Sequence, residues 1–182
     1  PYLRMKKKRI LWLFLLSFLC VIGLQAQTRK VKLVLVETSD VHGNYFPYDF
    51  INNRLGHGSM ARISAYMKQL RHGRRERGKG IVLLDNGDIL QGQPSAYYYN
   101  YIDTISTHLT ADVLNYMKYD AATVGNHDVE TGHSVYDRWV KQCNFPMLGA
   151  NVISASDNQP YWKPYTIIER QGVKIAVLGM IT

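Results

Sequence analysis

Three short, β-branched apolar runs, each passing directly into a turn rich in carboxylate, imidazole or amide groups, constrain most strongly how this chain folds. Val31–Glu37, Ile81–Asp85 and Ala121–Val124 are nearly continuous in apolar character, the pattern of strands buried on both faces. Helical spacing follows each of them. Met60, Ile63, Met67 and Leu70 share one face; so do Ile105, Leu109, Val113 and Met117, and again Val135, Trp139 and Cys143. Phe145–Val152 reads as a further buried strand entered at Pro146. Tyr165–Glu169 and Val173–Gly179 read as a hairpin about a Gln171-Gly172 turn. Alternating strands and helices predict an α/β sandwich with helices covering the sheet, whose ligands collect beyond the carboxyl ends of the strands.

That rule directs attention to the three turns. The first is Thr38-Ser39-Asp40-Val41-His42-Gly43-Asn44, the second Asp85-Asn86-Gly87-Asp88-Ile89-Leu90-Gln91-Gly92, the third Gly125-Asn126-His127-Asp128. Asp40 and His42 are two residues apart, so an extended segment points both to one side. The Asp88 carboxylate has two oxygens and can bridge two cations, and Asn126 offers a neutral amide oxygen. Taken singly, each turn is adequately explained as a capping or turn motif. Three such turns at one sheet edge predict a metal site, with donors all oxygen or nitrogen, a set suited to Mn, Zn or Fe rather than to a thiolate zinc site.

Composition removes competing classes. Hydrophobic residues make up 46% of the 182, too many for a disordered chain. The formal charge of +8 is concentrated at the N-terminus: Arg4, Lys6, Lys7, Lys8 and Arg9 carry five of the 22 Lys+Arg, and residues 1–27 contain no acid. The remaining 17 cations face 14 acids, too even a balance to predict a stable nucleic-acid partner. The basic stretch Lys68, Arg71, Arg74, Arg75, Arg77 and Lys79 reads as the solvated C-terminal end of a helix. Arg4–Arg9, the apolar run Ile10–Leu24 and the small Ala26 before Gln27 form a signal-peptide pattern over residues 1–27, with Met5 as the expected start. The protein is therefore expected to be periplasmic or secreted, with no membrane contact beyond that signal. Cys143 is then the one cysteine of the mature part, expected as a buried structural thiol without a disulfide.

Asp40-x-His42, Gly87-Asp88 and Gly125-Asn126-His127-Asp128, in this order, resemble the calcineurin-like metallophosphoesterase superfamily. Gly87-Asp88-x-x-Gln91-Gly92, Gly58-x-x-Ala61-Arg62 and Gly149-Ala150-Asn151-Val152 narrow the resemblance to the secreted 5′-nucleotidase / 2′,3′-cyclic-nucleotide 2′-phosphodiesterase family, over about Val31 to Thr182. The resemblance implies a metallophosphoesterase-type β-sandwich flanked by helices (αββα), two divalent metal ions, and a nucleotide or cyclic nucleotide as substrate. It implies that Asp40 and His42 hold the first metal, that Asp88 bridges both and that Asn126 holds the second. It further implies that His127 acts on the phosphate, with Asp128 or, preferably, Glu130 orienting the imidazole. The stretch Gln91-Gly92-Gln93-Pro94 favours the cyclic phosphodiesterase/3′-nucleotidase branch.

The family pattern also includes a Gly-His and a Gly-His-x-His motif, and His57, His72, His108 and His133 fit neither; surface or helix-end positions are expected for these four. Residues 28–182 are accordingly expected to be the N-terminal part of a catalytic domain, incomplete on its C-terminal side. The rest of that domain, and the C-terminal domain that stacks the nucleobase in relatives, would be the missing half of the same enzyme. The isolated chain should then bind metal weakly and turn over little. The competing reading is a non-catalytic scaffold that retains the fold. Tyr97, Tyr98, Tyr99 and Tyr101 cannot share one face, so some must be exposed.

Overall fold

In the computed structural model, residues 30–73 and 80–181 are described. The signal-peptide expectation and the part of the basic stretch from Arg74 to Lys79 lie outside them. The strands are β1 (Leu33–Thr38), β2 (Tyr48–Asp49), β3 (Arg54–Leu55), β4 (Gly80–Asp85), β5 (Ala121–Thr123), β6 (Met147–Leu148), β7 (Tyr165–Arg170) and β8 (Val173–Leu178). The helices are α1 (Met60–His72), α2 (Pro94–Tyr97, running into a π-helical turn Tyr98–Ile102), α3 (Leu109–Met117), α4 (Asn126–Val129) and α5 (His133–Gln142).

Strands β1, β4, β5 and β6 form one sheet in the order β1-β4-β5-β6, every pair parallel. Parallel neighbours need crossover connections, and the helical segments between successive strands supply them. The expected α/β architecture, with helices flanking the sheet, therefore holds, and this sheet is parallel. Its second layer is the antiparallel pair β7–β8. The hairpin is tied to the main sheet by Arg170, whose Nε donates to the Ile81 carbonyl at 2.8 Å and whose guanidinium pairs with Asp120.

The core packs Met60, Met67 and Leu70 of α1, Leu114 and Met117 of α3 and Val135 and Trp139 of α5 against Leu83 and Ala122 of the sheet. Ser59 caps α1 through a bond from the Arg62 N–H to its Oγ. Arg71, at the other end, donates to the carbonyls of Met117 and Lys118 and so caps the C-terminus of α3. Cys143 is a free, half-buried thiol whose pKa burial pushes up to about 12, an inert packing group at neutral pH.

Two expectations need correction. Ile105 is 95% exposed and precedes α3, because Asp103 accepts from the Ile105 and Ser106 N–H groups and closes a turn there. The buried face of α3 is instead Thr110, Ala111, Leu114 and Met117. The strand expected over Phe145–Val152 contracts to Met147–Leu148, since the chain turns at Gly149–Asn151 and Asn151 bonds the backbone of Ile181 instead. His108 takes its expected helix-end position and is fully buried there, its Nδ1 accepting from the Thr110 N–H as the cap of α3.

Asp85 ends β4 in the core, 3% exposed, accepting from the Thr38 hydroxyl at 2.5 Å and the Gly87 N–H at 3.1 Å. Tyr119 hydroxyl bonds Thr38 in turn, at 2.8 Å. Burial raises the Asp85 carboxyl to about 7. Between the ordinary carboxyl range and about 7 the folded protein therefore holds a proton that the unfolded chain releases. The stability this proton brings is full at low pH and is lost as pH rises through about 7. Asp85→Asn should remove that dependence: the melting-temperature difference between wild type and variant is expected to change sign or shrink between pH 5 and pH 8, read by scanning calorimetry. A pH-independent difference would refute the assignment.

Candidate metal centre and catalytic dyad

Because β1, β4 and β5 are adjacent and parallel, their carboxyl ends lie at one edge of the sheet, and the three turns begin there. Backbone bonds join the first two turns: Asp40 N–H donates to the Gly87 carbonyl at 3.1 Å, His42 N–H to the Asp88 carbonyl at 2.9 Å, and Asn86 N–H to the Thr38 carbonyl at 2.8 Å. The outcome is a compact donor group. One ligand atom each from Asp40, His42 and Asp88 falls within 4.8 Å of the others. All three residues adopt left-handed backbone conformations, with φ of 54°, 49° and 57°. Such conformations cost of order 1–3 kcal/mol for non-glycine residues and persist where surrounding bonds enforce them.

The third turn joins through Asp88 and Asp128. Asp88 Oδ1 accepts from the His127 N–H at 3.0 Å, and Gly125 packs so closely that any Cβ there would collide with the Asp88 carboxylate. Asp128 is fully buried beneath the turns. One of its oxygens accepts from the Ile89 and Leu90 N–H groups (2.9 and 2.8 Å), the other from those of Asp88 and Gly125 (2.8 and 2.9 Å). Burial pushes this carboxyl up, and the four amide donors oppose the shift by favouring the ionised form. Asp128 is thus a clamp between two turns.

Glu130, not Asp128, contacts the imidazole: its Oε2 lies 2.8 Å from His127 Nδ1. That bond holds the His127 imidazolium above its ordinary range and the Glu130 carboxyl below its own. Gln91 reaches the same carboxylate oxygen at 3.5 Å. The rings of His42 and His127 are 5.5 Å apart, which sets the dyad beside the donor group. Asn126 opens α4 on the exposed rim, next to Glu130. His57, His72, His108 and His133 take no part in the Asp40–His42–Asp88 group. The residue whose part was least visible in the sequence is Asp128, which offered only a cap or an imidazole partner.

The donor set suits a divalent cation: two carboxylates and an imidazole, close together and without thiolate. Asp40, His42 and Asp88 fit such an ion.

No family model matches the chain. Relatives do. The chain is 34% identical over 168 residues to the trifunctional nucleotide phosphoesterase protein YfkN of Bacillus subtilis, covering 84% of this chain and 11% of the relative. It is 33% identical over 164 residues to the 2′,3′-cyclic-nucleotide 2′-phosphodiesterase/3′-nucleotidase of Haemophilus influenzae (83% and 24%). It is 31% identical over 154 residues to the 5′-nucleotidase of Vibrio cholerae (85% and 26%). The chain thus spans about a quarter or less of the length of these curated relatives. Among solved structures it superposes on the calcineurin-like phosphoesterase YfkN of Bacillus subtilis with a TM-score of 0.73 at 29% identity, covering 84% of this chain and 49% of that one. A 5′-nucleotidase structure from Staphylococcus aureus gives 0.68 at 26% identity (80% and 28%).

Fold, loop chemistry and relatives together place the chain among the calcineurin-like phosphoesterases. Within that class its homologues are the 5′-nucleotidases and the nucleotide phosphodiesterases, whose N-terminal part it matches.

Proposed function

We propose that the protein is an exported, metal-dependent phosphohydrolase that cleaves phosphate esters of nucleotides. The observation that carries this reading is convergence: turns after three adjacent parallel strands gather Asp40, His42 and Asp88 within 4.8 Å and set the His127–Glu130 pair beside them. Asp40, His42, Asp88 and Asn126 would hold two divalent cations, whose chemistry is to neutralise phosphoryl oxygens and acidify water. The activities of the relatives support a nucleotide substrate. Gln91-Gly92-Gln93-Pro94 favours cyclic phosphodiesters over 5′-monoesters. Export rests on the N-terminal basic and apolar segments.

His127 supplies the proton in this reading. Glu130 engages Nδ1, so the second ring nitrogen is left to donate to the leaving oxygen, and the raised affinity for a proton keeps the acid form present to higher pH. Glu130→Gln removes the anion that stabilises the imidazolium. The His127 titration midpoint, followed by NMR of the ring carbon protons, should then move down toward the ordinary histidine range of about 6.5. The alkaline limb of activity should move to lower pH with it. An unmoved midpoint would sink this role for Glu130.

Calorimetric titration with Mn²⁺, paired with hydrolysis of bis(p-nitrophenyl) phosphate, tests the proposal. Binding to the Asp40–His42–Asp88 group and chelator-sensitive, slow turnover by the chain are expected. The rate should be low because, among the described residues, His42 is the one histidine in the group. Failure to bind Mn²⁺ at millimolar concentration would contradict it.

A further inference from the structure

A cavity of about 320 Å³ opens beside the dyad, walled by Ile51, Gln91, Gln93, Tyr97, Tyr101 and Glu130. Its volume falls at the lower end of the roughly 300–1,000 Å³ typical of small-molecule pockets. Glu130 belongs both to this wall and to the bond with His127, so the cavity adjoins the place where the proposed reaction occurs.

The wall is fixed to the donor group by close backbone approaches. A Cβ on Gly92 would stand 2.7 Å from the His42 carbonyl oxygen, and one on Gly43 would stand 2.8 Å from the Ala96 Cβ. The segment from Gln91 to the end of α2 is therefore pressed against the Asp40–His42 turn. The tyrosine-bearing π-helical turn is held from inside by Asn100, 4% exposed, whose amide donates to the Leu90 carbonyl at 2.6 Å and accepts from His108 Nε2 at 2.8 Å. His108 Nδ1 accepts from Thr110 N–H, so the neutral tautomer with its hydrogen on Nε2 is the one that fits. The Arg138 guanidinium donates to the Tyr99 carbonyl from the same side.

Buried polar networks of this kind are costly unless fully satisfied, and π-helical turns are frequent at functional sites. What this network presents outward is an aromatic pair. Tyr97 and Tyr101 are 60% and 46% exposed, with ring centroids 5.1 Å apart, facing Ile51, itself 67% exposed. Aromatic and aliphatic surface with two flanking glutamine amides suits a flat, uncharged ring that carries hydrogen-bonding edges. Such rings stack on aromatic side chains.

We propose that the cavity is a ring subsite for a nucleoside on the leaving side of a phosphodiester, distinct from the C-terminal base site that the family resemblance implies. This rests on the phosphohydrolase reading and extends its substrates from cyclic phosphodiesters to open ones with an organic arm on either side of phosphorus. His127 then stands at the oxygen that joins phosphorus to the arm in the cavity.

The test uses adenosine, which has no phosphate, on the full chain in excess chelator, read by saturation transfer from protein to the adenine protons. Transfer is expected in the wild type, reduced at least fivefold in the Tyr97→Ala/Tyr101→Ala double variant, and kept in the Tyr97→Phe/Tyr101→Phe pair. Both rings are exposed, so the core is untouched, and an unchanged thermal melt checks this. No transfer in the wild type, or equal transfer in the alanine variant, would overturn the subsite. Mn²⁺ titration is independent of these tyrosines: loss of metal binding with adenosine binding retained would overturn the phosphohydrolase reading and leave the ring site standing.

Discussion

Asp88→Asn is expected to weaken Mn²⁺ binding by more than about 100-fold while leaving the metal-free fold intact. Even partners one bond removed from a metal are worth about 10–100-fold in affinity, so losing a charged ligand should exceed that. Asparagine is close in shape and keeps an oxygen able to accept from the His127 N–H, the 3.0 Å bond that joins the second and third turns. The substitution also takes one negative charge from a site where Asp40 and Asp88 lie within 4.8 Å. Without metal that proximity is repulsive, so the metal-free variant should be as stable as the wild type or slightly more so. Calorimetric Mn²⁺ titration and a thermal melt in chelator check both halves. Undiminished affinity would remove Asp88 from the metal site.

The second large effect concerns Asp128, and its sign is opposite: the fold itself should suffer. Asp128→Ala leaves the backbone N–H groups of Asp88, Ile89, Leu90 and Gly125 without the fully buried carboxylate that accepts from them. Each orphaned buried donor costs about 1–3 kcal/mol, so a loss of about 4 kcal/mol or more is expected by urea denaturation. Asp128→Asn is nearly isosteric yet should also destabilise, by about 2 kcal/mol or more, because its NH₂ would oppose two of those donors. Hydrogen exchange at residues 88–90 and 125 should accelerate ahead of the helices in the asparagine variant. A stability change below about 1 kcal/mol in either variant would show that water or rearrangement replaces the clamp.

The sequence made the strand-terminal turns visible because their chemistry is local: a carboxylate two residues from an imidazole, or a glycine before an aspartate, is readable wherever it occurs. Parallel pairing of β1, β4 and β5 then brings the turns together. Glu130 was legible for the same reason, since three residues separate it from His127 along one turn of chain. The clamp was not. Three of the four amides bound by Asp128 lie 38 to 40 residues away, and no local pattern encodes that meeting. His108 takes the helix-end position expected of it, but its burial was not readable, since only Asn100, packed beneath the π-helical turn, accounts for it. Ile105 matched a helical period by coincidence, and the Asp103 turn outweighed one well-spaced apolar residue. The paired two-residue strands β2 and β3 are too short to leave any period at all.

Diffraction from crystals of the chain soaked in millimolar Mn²⁺, collected at a wavelength where manganese scatters anomalously, tests the central claim most directly. An anomalous peak bracketed by the carboxylates of Asp40 and Asp88 and the His42 imidazole is predicted, with any second peak between Asp88 and Asn126. Density elsewhere on the surface, with nothing among these side chains, would contradict the account.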